Sequence, residues 1–301
     1  MSKLKEKTQN QWVQRFLNSR FWFAVWQNKH NLFCFVIIVI FILISLLGAV
    51  DFLPDFQARV GTSYEAPSFS FAKIMGTDVF GRSVFYKVLS GANTAISMGF
   101  LVCAITIPIG ILLGALSGYF GGKIDHLIIW FYSVVASVPG ILLIIAISYL
   151  LGKGFLALCI AMAFTFWVGL CRMIRGEFLK HKEREYVLAA KLLGLHDLVI
   201  IFRHILPNVY HVAIVTASLV ILNAIKSEVL LTYIGVGIQD GASWGSMIAD
   251  APGELVNGIW WPLCGVVVAM FLIIYALNVL GDLLRDTLDP KIVSQNSNEK
   301  F

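Results

Sequence analysis

The chain has 301 residues, of which 58% are hydrophobic and only 14% charged, against roughly 25% charged in an ordinary soluble domain. That balance excludes a soluble enzyme of ordinary make-up, because the apolar residues gather into runs near the ~20 that a helix needs to cross the hydrocarbon layer. The formal charge of +5 is not a nucleic-acid footprint either: Lys and Arg cluster between the apolar runs, as membrane topology requires.

In chain order, residues 1–30 form a basic segment carrying Lys3, Lys5, Lys7, Arg15, Arg20 and Lys29. The apolar run that follows is too long for a signal-peptide core and is expected to stay as a membrane anchor. Six membrane helices are predicted at about 31–50, 96–118, 127–151, 154–172, 208–235 and 261–281, which makes the fold all-α and polytopic. Pro108 and Pro139 fall inside spans, where proline can kink a helix. Only Leu151, Gly152 and Lys153 separate the third and fourth runs, so these form a tight hairpin.

The organisation that results is a segment 1–30, a first helix and loop over 31–95, a core over 96–290 with a basic loop at 173–207, and a tail over 291–301. Basic residues concentrate in 1–30, in 173–207 and in the tail. The intervening segments on the other side carry only Arg59, Lys73, Arg82, Lys87 and Lys153. Because basic residues are retained on the cytoplasmic face, both termini and the 173–207 loop are expected there. The 51–95 and 236–260 segments then face outward, the first as an ordered cap.

The 173–207 loop is the most informative stretch. Residues 183–193 favour a helix, Gly194 can end it in a left-handed turn, and Asp197 can cap a short helix after it. Ala190 and Gly194 lie one turn apart, a small-residue stripe that another protein could approach, although a plain solvated connector fits equally well. In the fifth run, Lys226 and Glu228 are costly in hydrocarbon. Two positions apart on a helix they point about 200° apart, and snorkelling at the interface competes evenly with lining a translocation path. Asp282, Arg285, Asp286 and Asp289 sit at helical spacing, where Arg285 can pair with Asp282 or Asp289 as a lock on the last span.

Other chemistry is missing from the pattern. Cys34, Cys103, Cys159, Cys171 and Cys264 have no CxxC spacing and read as buried small hydrophobes. The six histidines, His30, His126, His181, His196, His204 and His211, are dispersed. There is no GxxxxGK[ST] phosphate loop. An ion-driven transporter would need acidic groups near the midplane, for which Glu228 alone is a thin basis; an intramembrane enzyme would need paired catalytic groups, and none is evident.

Several segments carry a resemblance. Ala189-Ala190, Gly194 and then Arg203-His204-Ile205-Leu206-Pro207 resemble the EAA loop of permease subunits of ATP-binding-cassette importers, with Leu188 where the family usually has Glu and Glu185 nearby. Gly76-Thr-Asp-Val-Phe-Gly-Arg-Ser83, Gly118-Tyr-Phe-Gly-Gly-Lys-Ile-Asp125, Arg175-Gly-Glu-Phe-Leu179, Ser243-Trp-Gly245 and Gly281-Asp-Leu-Leu-Arg-Asp-Thr-Leu-Asp-Pro290 are similar, in order, to boxes of the second permease of dipeptide, oligopeptide and nickel importers. Trp130 and Ser133 depart from that pattern. The glycines of these boxes fit plain turns as well as binding sites.

The resemblance implies a type I importer permease of the bacterial cytoplasmic (inner) membrane. Glu185, Ala189, Ala190, Gly194, Arg203, His204 and Pro207 would then couple it to an ATPase. It also implies a second homologous permease, two ATPase subunits that bind ATP and Mg, an external substrate-binding protein and surrounding lipid. This chain itself would hold no cofactor or metal and would not be an enzyme. Peptides or peptide-like solutes are the expected cargo.

Overall fold

A computed structural model describes residues 20–238 and 241–288. The basic residues before Arg20, together with Asp289 and the tail beyond it, lie outside them. The described residues form helices without a β-sheet; two isolated bridges, Arg59–Arg82 and Thr77–Ser83, tie the 51–83 segment together.

Helix α1 (Arg20–Gln27) leads into α2 (Lys29–Ala49), whose start is capped by Asn28 accepting from the His30 amide. Helix α3 runs from Val84 to Phe120, twelve residues longer at its start than the apolar run. The reason is local: Ser83 caps it by accepting from the Tyr86 amide at 3.3 Å, and the added turns pack with Met75, Trp244 and Met247. Pro108 is accommodated inside α3.

The third predicted span is not one helix. Helices α4 (Gly122–Ser137) and α5 (Gly140–Leu150) meet at 91°. Pro139 has no amide to donate and pushes Val138 out of the helical region, to ψ 134°. Helix α6 (Phe155–His181) follows the short turn at Gly152 and continues nine residues past the predicted span.

Beyond it come α7 (Glu185–Leu192), a single turn α8 (Asp197–Val199), a π-helical segment Ile200–Ile205, and α9 (Leu206–Tyr233). The 236–260 segment, taken as a loop from its polarity, contains α10 (Trp244–Val256). Helix α11 (Trp261–Leu288) ends the described chain. Five helices, or six spans if the α4–α5 pair counts as one, are long and apolar enough to cross a membrane.

Helices α3 and α6 lie against each other along most of their length because α3 is notched. Gly110, Gly114 and Gly118 recur every fourth residue. A Cβ added at each would lie 2.8 Å from Leu170 Cγ, 2.7 Å from the Cys171 carbonyl and 2.6 Å from Phe178 Cβ. In lipid, where burial gives helices little reason to associate, close approach of this kind is the main attraction. Four cysteines are buried or half-buried as expected; Cys264 is exposed, in the first turn of α11.

Candidate functional site

The end of the bundle that carries α7 is built on a polar clamp. Asp125 of α4 takes two parallel bonds from Arg175 of α6, Nε to Oδ1 and Nη2 to Oδ2, both 2.7 Å, and a further one from Ser117 of α3. Three helices are thus pinned at one carboxylate, in the paired geometry that gives charge-assisted bonds their strength. The Gly118–Asp125 and Arg175–Leu179 boxes therefore meet in space, and Gly118 is glycine because the backbone of Arg175 fills the place of its side chain.

On this clamp sits the 173–207 loop. Val187, Ala190, Ile200, Ile201 and Ile205 are buried against Ala115, Tyr119, Ile174 and Phe178. Tyr119, next to Gly118, donates its hydroxyl to Asp197 Oδ1 at 2.6 Å, and Lys191 stands over its ring at 5.1 Å. This corrects one expectation: the short helix is capped by His196, which accepts from the Leu198 amide at 3.3 Å, while Asp197 reaches across to α3.

Gly194 ends α7 as expected, at φ +74° with open space around it. Its partner in the small-residue stripe does not share that face, for Ala190 is turned into the core, 4% exposed. What faces outward is apolar and larger: Leu188, Leu192, Leu193 and Leu195, with Leu192 90% exposed, while the exposed Phe202 lies apart, beside Ile107 and Ile111 of α3. Glu185, Ala189 and Arg203 are exposed around it, His204 is half-buried, and Pro207 is exposed in the first turn of α9. Arg203 and His204 fall in the π-helical segment, whose wider turns let Ile200, Ile201 and Ile205 all face inward.

At the opposite end the 76–83 and 243–245 boxes are each tied to the bundle. Asp78 accepts from the amides of Phe80 and Arg82 and pairs with Lys87 Nζ at 2.5 Å. Thr77 donates to the Thr62 carbonyl, and its own carbonyl accepts from Trp261 Nε1 at 3.1 Å. Trp244 donates to the Val88 carbonyl at 3.1 Å and occupies the space a side chain at Gly91 would need. These glycines and tryptophans hold the 51–83 segment to the bundle.

Lys226 and Glu228 are separated as their spacing requires. Glu228 is fully buried, with Oε1 accepting from Ser243 Oγ at 2.5 Å and Thr232 Oγ1 at 3.0 Å. It joins α9 to the start of α10 and does not face a path, which corrects the expectation for this residue. Lys226 is exposed. Arg285 forms no ion pair with Asp282 among the described residues, and Asp289 lies outside them. No group of three or more metal-ligating side chains occurs among the described residues.

Residues 110–294 match the family described as the binding-protein-dependent transport system inner membrane component. The chain is 38% identical over 218 residues to the dipeptide transport system permease protein DppC of Bacillus subtilis (strain 168), covering 72% of this chain and 68% of that one. With the oligopeptide transport system permease protein OppC of the same organism it shares 32% identity over 294 residues, 96% of this chain and 93% of that one. A chain of the MetNI methionine ABC transporter, solved in an inward-facing conformation, aligns at a TM-score of 0.49 and 17% identity, covering 67% of this chain and 93% of that one.

Proposed function

The chain belongs to the family of inner membrane components of binding-protein-dependent transport systems, and from that footing we propose that it is one of two related permeases enclosing a peptide path through the cytoplasmic membrane. It is a multi-pass permease subunit, not the ATPase of the system. In this proposal both termini and α7 are cytoplasmic. Two ATPase subunits bind ATP and Mg and dock on the α7 end, and an external binding protein delivers the peptide to the opposite end.

The observation that carries the proposal is the exposed apolar cluster of Leu188, Leu192, Leu193 and Leu195, set on a loop whose other side is buried against α3 and α6 and bonded to α3 through Tyr119, with α4 pinned to α6 beneath it by Asp125 and Arg175. Large apolar side chains in a basic, polar loop mark a protein contact. Rigid attachment of that contact to three spans gives a docked ATPase a lever on the path. An ion-driven mechanism is disfavoured because Glu228 is already engaged by two hydroxyls.

The test is reconstitution of this chain with its second permease, ATPases and binding protein in proteoliposomes. ATP-dependent uptake of a labelled di- to pentapeptide is expected. Leu192→Asp with Leu193→Asp should remove the ATPases from the purified complex while both permeases stay together. A wild-type complex that hydrolyses ATP but accumulates no peptide would overturn the peptide assignment.

A further inference from the structure

Helix α9 is the central strut of the subunit, packed on α3, α6, α10 and α11. One face remains uncovered, and it runs the length of the helix through Leu219, Asn223, Lys226, Leu230 and Tyr233. Within this stripe Asn223 and Lys226 lie one helical turn apart. Both are exposed, and among the described residues neither side chain makes a hydrogen bond or ion pair. Other spans differ: α2 presents Phe33, Val36, Ile40 and Leu43, all apolar, and on α11 the exposed Val267, Val268 and Phe271 are followed by Tyr275 and Asn278, whose polar atoms are bonded to His30 and the Ile274 carbonyl.

An unpaired ammonium on a lipid-facing surface is expensive. The geometry of the helix works against snorkelling. Lys226 lies seven residues before the end of α9 at Tyr233, about 10 Å along the axis. The Cα–Cβ bond of a helical residue tilts toward the helix N-terminus, so the Lys226 stem leans away from the nearer boundary and over the turn that holds Asn223. The nearest acid in sequence, Glu228, is buried on the far side of the helix and occupied by Ser243 and Thr232.

We infer that Asn223 and Lys226 form a polar step on the water-filled path and that its ligand is the C-terminal carboxylate of the transported peptide. This rests on the peptide assignment above. The ammonium supplies the charge complement, the Asn amide N–H a second donor one turn deeper, and the apolar Leu219 and Leu230 flank them for the peptide's side chains. A free carboxylate is the anionic group that peptides of every sequence share, so one cation recognises them without reading side chains. Contact through one or two bonds is also weak enough to release the cargo onward.

Two measurements on the reconstituted complex test this. In the first, Asn223→Cys and Lys226→Cys are made with Cys264→Ser, which removes the exposed native thiol, and treated with a charged, membrane-impermeant thiol reagent. Both should react and be protected by peptide, whereas Phe271→Cys should not react. In the second, uptake of a peptide is compared with that of its C-terminal amide at concentrations saturating the binding protein. Lys226→Met should lower uptake of the free acid roughly tenfold, the loss expected for one charge-assisted bond, and leave the amide unchanged, with Lys226→Arg restoring the free acid. Unreactive thiols at 223 and 226 would overturn the inference, as would equal losses for both peptides or separation of the two permeases in Lys226→Met. A wild-type complex that imports neither peptide would instead remove the peptide assignment, and this inference with it.

Discussion

The Tyr119 hydroxyl reaches Asp197 Oδ1 at 2.6 Å and so fastens the loop between α7 and α9 to the end of α3, 78 residues earlier in the chain. Tyr119 is 6% exposed but Asp197 is exposed, so this part-buried bond to a charged acceptor contributes about 1.5 kcal/mol, the lower end of the usual range. Tyr119→Phe keeps the ring, and with it the Lys191 contact, and removes only this bond. Amide exchange over 185–205 should quicken by at least tenfold while α6 is unaffected, and peptide taken up per ATP hydrolysed should fall. Asp197→Asn should do the same, and the double variant should be no worse than either single one. Additive losses would mean that the two residues act separately.

The Asp125–Arg175 pair makes a sharper prediction about stability. The two side chains are 14% and 25% exposed, so the bond is neither fully screened nor fully dry. Arg175→Met leaves the carboxylate facing only Ser117 and should cost about 1–3 kcal/mol, read as a lower melting temperature in detergent. Arg175→Lys retains the charge but not the planar fork, and should recover less than half of the loss. Full recovery with Lys would show that charge alone matters at this site.

At the opposite end, burial pushes the Glu254 carboxyl above its ordinary range, with Asp250 and Asp78 adding to the shift and Lys87 opposing it. The folded state therefore holds this proton more tightly than the unfolded chain, and the stability it contributes is lost as pH rises through the raised folded value. Glu254→Gln has no charge to bury. It should melt higher than wild type at pH 8, and the difference should shrink as the pH is lowered toward 4. A difference independent of pH would assign the effect to packing.

The spans were legible in the sequence because hydropathy reports burial in lipid directly. Pro139 marked a possible kink, but not a break of 91°, since residues 127–151 are apolar on both sides of it, hydropathy carries no direction, and Pro108 is accommodated within one helix. The extra turns of α3 before residue 96 and the whole of α10 escaped for the opposite reason: they are helices packed on protein, with polar residues such as Asn93, Asp250 and Glu254 that lower the apolar count. The boxes around Gly76, Gly118, Arg175 and Trp244 were visible as motifs, but their job was not. Asp125 and Arg175 are fifty residues apart, and that a glycine at 118 exists to admit the Arg175 backbone follows only from the α3–α6 contact. Ala190 and Gly194 were paired by helical spacing, yet the helix ends between them at Leu192, which sends Ala190 inward and leaves Gly194 out.

That divergence gives the decisive test of the loop. Gly194 has positive φ and nothing within 4 Å of an added Cβ, so Gly194→Trp costs only the backbone strain of a left-handed residue, about 1–2 kcal/mol, and projects an indole beside Leu192 and Leu193. Ala190 is packed among Val187, Ile200 and Ile201. Overfilling that space costs about 1–3 kcal/mol or more and detaches the loop from its platform. The two variants should therefore fail differently. Gly194→Trp should keep near-native thermal stability and amide protection in the loop while losing the ATPases on purification and peptide uptake with them. Ala190→Trp should lose loop protection first, and its ATPase binding should fall in proportion. Gly194→Ala, which adds strain but almost no bulk, separates the two costs and should retain most binding. If Gly194→Trp binds the ATPases and transports normally, the exposed leucine face is not where they dock.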